Sequence, residues 1–148
     1  MSGGLAEVEG PMKTIDARRE LARPHPRPEW FSGPVWIQEL NEASEAWGLE
    51  IFAVFFDAGA RTIPHTHATD QLLYFLEGEG VVGTLDTRRR YRAGGMAVVP
   101  ANEWHWHGAT PTSSTCHLSI RPGGPSVWAP EVPMHDWDTY MAGVDEDA

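Results

Sequence analysis

The segment Gly59-Ala60-Arg61-Thr62-Ile63-Pro64-His65-Thr66-His67-Ala68-Thr69-Asp70-Gln71 decides how this chain is read. Side chains alternate faces along a strand, so His65 and His67 aim two imidazoles to one side. Trp104-His105-Trp106-His107-Gly108 repeats the His-x-His form. Neutral imidazole ligates zinc, copper, iron and nickel and accepts manganese. One such pair is weak evidence. Two in one small domain, flanking a run of hairpins, point to a shared metal site, with buried hydrogen-bonded histidines as the bland alternative.

The sequence around these pairs reads as short strands. Val35 to Leu40, Leu49 to Phe56, Leu72 to Leu76, Val81 to Leu85, Arg89 to Arg92, Met96 to Val99, Trp104 to Gly108 and Thr115 to Ile120 are β-prone. Glu77-Gly78-Glu79-Gly80, Asp86-Thr87, Ala93-Gly94-Gly95 and Pro100-Ala101-Asn102-Glu103 read as turns. Glu39 to Trp47 reads as a loop or a single turn. The 148 residues suit one domain, and 15 Gly with 12 Pro favour an all-β sandwich or small barrel. The expected organisation is a flexible Pro-rich arm over 1–29, a barrel over 30–125, and a tail over 126–148 that packs on the barrel or on a partner. His25, between the prolines of Arg23-Pro24-His25-Pro26-Arg27-Pro28, reads as a solvent histidine.

The spacing carries more. Gly59, five residues, His65-x-His67, three residues, Gln71, six residues, Gly78 forms one block. Gly94, five residues, Pro100, Asn102 and His105 form a second. These blocks closely resemble the paired motifs of the cupin superfamily. The resemblance implies an all-β cupin barrel (a jelly-roll-like double-stranded β-helix) holding one divalent metal ion. It implies ligation by His65, His67, Gln71 and His105. Gln71 stands where the family usually has glutamate. Asn102 stands in place of a usual glycine, which Asn tolerates because it enters the left-handed region. A neutral amide leaves the full charge on the ion, favouring Lewis acidity over oxidation to a +3 state. The ion can be manganese, iron, nickel or zinc.

Further pocket candidates follow from alternation. Thr115, His117 and Ser119 share one face of their strand, and Phe52, Val54 and Phe56 share one face of theirs. The polar set is expected inside, with His117 as a general base or acid and His107 as a ligand, a neighbour of the ligands or a substrate contact. Trp104, Trp106 and Cys116 are expected to face away, as core or interface.

The segments Gly59 to Thr62, His65 to His67, Gln71, His105 to Ala109 and His117-Leu118, with Trp30 to Gly33, also resemble a narrower group. These are small bacterial manganese cupins that include hydroxynitrile lyases and relatives near carboxymuconolactone decarboxylase. That resemblance implies a metal that binds the substrate oxygen, proton transfer at His117, and a pocket shaped by Phe52 and Val54. Phe52 is bulkier here, and Arg121 replaces a glutamine of the lyase cavity, a change that favours an anionic substrate. The expected activity is a non-redox lyase or isomerase acting on a small oxygenated molecule. An iron-dependent dioxygenase, a polyketide cyclase and a non-catalytic binding cupin stay open.

Charge excludes other classes. The formal net charge is -10, with 21 acidic against 11 basic residues, which disfavours nucleic acid as a partner. Arg88-Arg89-Arg90 with Arg92 reads as a solvated hairpin tip. The single cysteine, Cys116, forms no intrachain disulfide. No apolar run nears the roughly 20 residues that cross a bilayer, and Met1 to Gly10 lacks a leader's apolar core. No membrane partner, a cytoplasmic location and a homodimer that covers an open sheet edge are the expectations.

Overall fold

Leu49 to Phe56, a run rich in aromatic and β-branched residues, forms an eight-residue strand. The computed structural model describes residues 12–135 and 137. Among these, twelve strands follow in chain order: β1 (Arg23–Pro24), β2 (Phe31–Ser32), β3 (Val35–Glu39), β4 (Leu49–Phe56), β5 (Arg61–Thr62), β6 (His65–His67), β7 (Gln71–Thr84), β8 (Arg88–Arg92), β9 (Met96–Val99), β10 (His105–Ala109), β11 (Thr115–Pro122) and β12 (Ser126–Trp128). All pairings are antiparallel. One layer runs β1-β3-β4-β11-β7-β9. The other joins β8 to β7, β7 to β10, β10 to β5 and β6, β5 to β2, and β6 to β12. The all-β architecture expected from the sequence is the one found.

Two layers share β7, and this differs from the sequence reading. Glu77 to Gly80 is not a turn between two strands; the chain runs through it as one strand of fourteen residues. The reason lies at Gly78, which has φ +72° and meets the Ser114 carbonyl so closely that a Cβ would overlap it. The register of β11 against β7 slips at Cys116/His117 beside this point. A glycine in the left-handed region lets the strand bend from one layer into the other without breaking.

The remaining features are local, and among them only Arg88 departs from the expectation. Glu39 to Trp47 holds one tight turn at its end, Ala46–Gly48. Arg88 is buried rather than solvated, and Arg90 and Arg92 pair with the two oxygens of Glu79 at 3.1 and 3.0 Å. Trp106 is fully buried and packs with Val81 and Met134, beneath Trp104, Val132 and Trp137. It fits because a side chain at Gly83, its cross-strand neighbour, would overlap the indole. Cys116 packs as a hydrophobe with Ala53 and Phe55, and burial, aided by Glu77, pushes its thiol up to about 12.

The arm and tail both meet the barrel. From Met12 on, the arm lies on the outer layer: Gln38 accepts from the Arg18 amide at 3.0 Å and donates to the Asp16 carbonyl at 2.8 Å. Ala17 and Ala22 pack near Phe55, and β1 adds a strand beside β3. The tail contributes β12 and Met134, so the barrel gains a strand beyond residue 125. The tail cluster from Trp137 to Tyr140 lies outside the described residues apart from Trp137, as do residues 1–11. No helix among the described residues is long and apolar enough to cross a membrane.

Candidate metal centre

Two short strands bring the ligand candidates together. His105 on β10 stands opposite His65 on β6. Their ring centroids are 4.2 Å apart, and His67 lies 4.9 Å from His65. Asn102 turns the chain into β10 at φ 67°, and its amide donates to the His67 carbonyl at 2.7 Å. One ring nitrogen from each of His65, His67 and His105 falls within 4.8 Å of the others, and all three residues are buried.

The hydrogen bonds fix what these nitrogens can do. His65 Nδ1 donates to the Ile63 carbonyl at 2.8 Å, and His105 Nδ1 donates to the Glu103 carbonyl at 3.0 Å. A carbonyl only accepts, so both rings carry their proton on Nδ1 and leave Nε2 as a bare lone pair. His67 Nδ1 meets the Ser126 hydroxyl at 2.6 Å. The Nε2 atoms of His65 and His67 are buried and have no hydrogen-bond partner. Gln71 Nε2 donates to Ser119 Oγ at 2.9 Å, which turns its oxygen to His105 Nε2 at 3.0 Å. Those two acceptors have no proton to share, and a cation between them relieves the contact. The donor set therefore fits a divalent ion: three neutral imidazoles and one amide oxygen converging on one point.

Burial also keeps the imidazoles neutral. It drives His65 well below the ordinary imidazole range, reinforced by His105 and His67. His67 is pushed down to about 3, by burial first and then by Arg121 and His105. His105 falls to about 4 through burial. Ligation requires the unprotonated ring, so burial prepares the ligands rather than opposing them.

A cavity of about 350 Å³ opens above the centre. Of the residues expected to line it, Phe52, Val54, Gln71, His107, Ser119 and Arg121 do so. His117 and Thr115 lie outside its lining. Thr115 donates to the Glu77 carbonyl at 3.0 Å. His117 is fully buried against Phe56 and Phe75, and its Nε2 meets His107 Nδ1 at 3.0 Å. It therefore reaches the cavity through His107. Burial lowers His117 to about 4, and it lowers His107 well below the usual range with help from His117.

Several lining residues carried no signal of their own in the sequence. Trp128 of β12 stacks on His65 with centroids 4.0 Å apart at 17°, and Trp30 stacks on Trp128 at 4.2 Å and 3°. His25 is a correction: it is half-buried, lines the cavity and packs against Phe31 at 4.5 Å. The prolines around it lay this segment over the cavity mouth, where its amide donates to the Val35 carbonyl at 3.0 Å. Burial, with Arg23, pushes the His25 ring down to about 4.

A curled antiparallel barrel with a buried histidine cluster at its mouth defines a class of single-domain barrels able to hold a metal ion. Residues 52–121 match the Cupin domain family, and the chain belongs to the cupin superfamily. It is 34% identical over 97 residues to an (R)-mandelonitrile lyase from Granulicella tundricola, covering 63% of this chain and 72% of that one. Among solved structures, a cupin-like protein from Thermotoga maritima superposes with a TM-score of 0.70 at 27% identity, over 80% of this chain and 91% of that one. The polyketide cyclase RemF from Streptomyces resistomycificus superposes at 0.69 and 18% identity, over 80% and 85%.

Proposed function

We propose that this protein is a metal-dependent, non-redox lyase or isomerase acting on a small oxygenated organic molecule. The observation that carries the reading is the neutral donor set, His65, His67, His105 and Gln71, beside a second histidine pair, His107–His117, at the same cavity. A bound manganese, iron, nickel or zinc ion supplies Lewis acidity to a hydroxyl or carbonyl oxygen. The mandelonitrile lyase relative supports the lyase class.

The chain's own residues divide the remaining work. Phe52, Val54 and Trp128 enclose the organic part of the substrate and exclude water. His107 faces the cavity and takes the hydroxyl proton as the adjacent carbon–carbon bond breaks. The bonding electron pair leaves with the departing group, which recovers the proton from the His107 imidazolium. His117 holds the His107 ring in place through the 3.0 Å contact at Nδ1 and shares its proton. This assigns His117 to proton handling through His107 rather than by direct contact with substrate.

The test is turnover of a panel of cyanohydrins and 2-hydroxy carbonyl compounds, with and without oxygen. Zinc or manganese is expected to support anaerobic turnover. His107→Ala and His117→Ala are expected to lower it at least about a hundredfold, the ordinary loss for a general acid–base group, with metal content unchanged. Full activity in both variants rejects the mechanism. Oxygen consumption that needs iron and fails with zinc identifies a dioxygenase instead.

A further inference from the structure

We propose that the substrate of this centre is a carboxylate, and that Arg121 is the residue that selects it. The inference rests on the metal-centre reading above and adds the substrate class. The inner face of β11 places His117, Ser119 and Arg121 in a row, each two residues from the next. His117 backs the floor, Ser119 orients Gln71, and Arg121 stands at the mouth and lines the cavity.

The surroundings of Arg121 offset its charge only in part. Its side chain is 14% exposed. Nη1 reaches the Pro122 carbonyl at 3.2 Å and Thr69 Oγ1 at 3.4 Å, and Nη2 reaches Ser126 Oγ at 3.5 Å. These neutral acceptors hold the guanidinium in place without neutralising it. Among the described residues its paired carboxylate is Glu50, 3.8 Å away, beyond hydrogen-bond length, and 44% exposed to water. A cation so enclosed is costly unless a carboxylate meets it at hydrogen-bond distance, and the planar guanidinium fork matches a carboxylate two-to-two.

Position and charge both favour such an anion. The hydroxyl of Ser126 joins Arg121 Nη2 to His67 Nδ1, so the guanidinium stands two contacts from a ligand ring. Elsewhere at the mouth Arg27 is paired with Glu29 at 2.7 Å, and Arg23, Glu39 and Glu50 also line the cavity. The protein side of the cavity is close to balanced, and an ion held by four neutral ligands makes it positive in a molecule of charge -10. A hydroxy or oxo acid, with its oxygenated carbon within a few atoms of the carboxylate, spans from the centre to Arg121. An uncharged cyanohydrin leaves Arg121 with Glu50, at 3.8 Å, as its one carboxylate among the described residues.

Lactate and lactamide are the probes, since they differ chiefly in charge. Each is titrated calorimetrically into the manganese-loaded full-length protein and its variants, with manganese content measured in every sample. The parent is expected to prefer lactate. Arg121→Gln is expected to weaken lactate about tenfold or more, the loss of one charge-assisted fork, with lactamide affinity and manganese content unchanged. Arg121→Lys, which keeps the charge and loses the fork, is expected to fall between. Lactate binding that is equal in the parent and Arg121→Gln, at full manganese content, overturns the carboxylate assignment alone. Equal affinity of the parent for lactate and lactamide does the same. A parent that takes up no manganese, iron, nickel or zinc overturns the metal-centre reading, and the assignment of Arg121 with it.

Discussion

In the proposed centre Gln71 is the neutral ligand, and its amide is oriented by Ser119. Gln71→Glu adds an anionic ligand. Its affinity for the ion is expected to rise about tenfold, or ~1.4 kcal/mol, measured by competition with a chelator, while Lewis-acid turnover falls. His105→Ala removes one of three converging nitrogens and is expected to reduce bound metal to a small fraction of the parent's by elemental analysis. Protonation gives a third expectation. In the unfolded chain these histidines titrate near 6.5, whereas burial holds His67 near 3 and His105 near 4 in the fold. Between those limits the unfolded state binds more protons, so stability of the metal-free protein is constant above about pH 7 and falls as pH drops through 6 toward 4. Each such histidine steepens the fall toward about 1.4 kcal/mol per pH unit, readable from urea unfolding at pH 7 and pH 5. His65, His67 and His105 were legible in the sequence because a period of two puts neighbours on one face, and motif spacing joined the distant pair. His25 and Trp128 were not, because each reaches the cavity by long-range pairing, β1 with β3 and β12 with β6. The composition of a proline-rich stretch shows only that it is extended, not what it lies against.

β7 joins the two layers, and its bend depends on one residue. Gly78→Ala would place a methyl group against the Ser114 carbonyl at a φ that disfavours any side chain. The expected loss is about 2–4 kcal/mol, from strain and steric overlap together, seen as a lower midpoint in thermal unfolding. Gly59→Ala is the matched control: it also has positive φ, but a Cβ there meets open space. Its loss is expected to be smaller. Two glycines and two acids in the four residues Glu77 to Gly80 are ordinary turn chemistry. Strand pairing on both sides overrode that local preference. The alternation on β4 and β11 puts Phe52, Val54, Ser119 and Arg121 at the cavity. Thr115 and His117, on either side of the register slip, lie outside the cavity lining, and His117 reaches it only through His107.

At the scale of the molecule, the barrel is closed by segments from both ends of the chain. The tail covers Trp106, and β12 supplies Ser126 and Trp128 to the metal centre. A protein ending at Pro125 is therefore expected to bind the ion more weakly and to unfold at lower temperature, both measurable on one preparation. The extent of the barrel was legible from strand spacing, but its completion by residue 128 was not, since three residues after a Gly-Pro break give no periodicity. The column formed by Trp30, Trp128 and His65 has an optical consequence. An indole in van der Waals contact with a coordinating ring loses its excited state readily to a paramagnetic ion. Loading with manganese should dim the ultraviolet emission of the parent while leaving that of Trp128→Phe nearly steady, whereas zinc, with its filled d shell, should dim neither. Light alone would then report how full the centre is and separate open-shell ions from zinc.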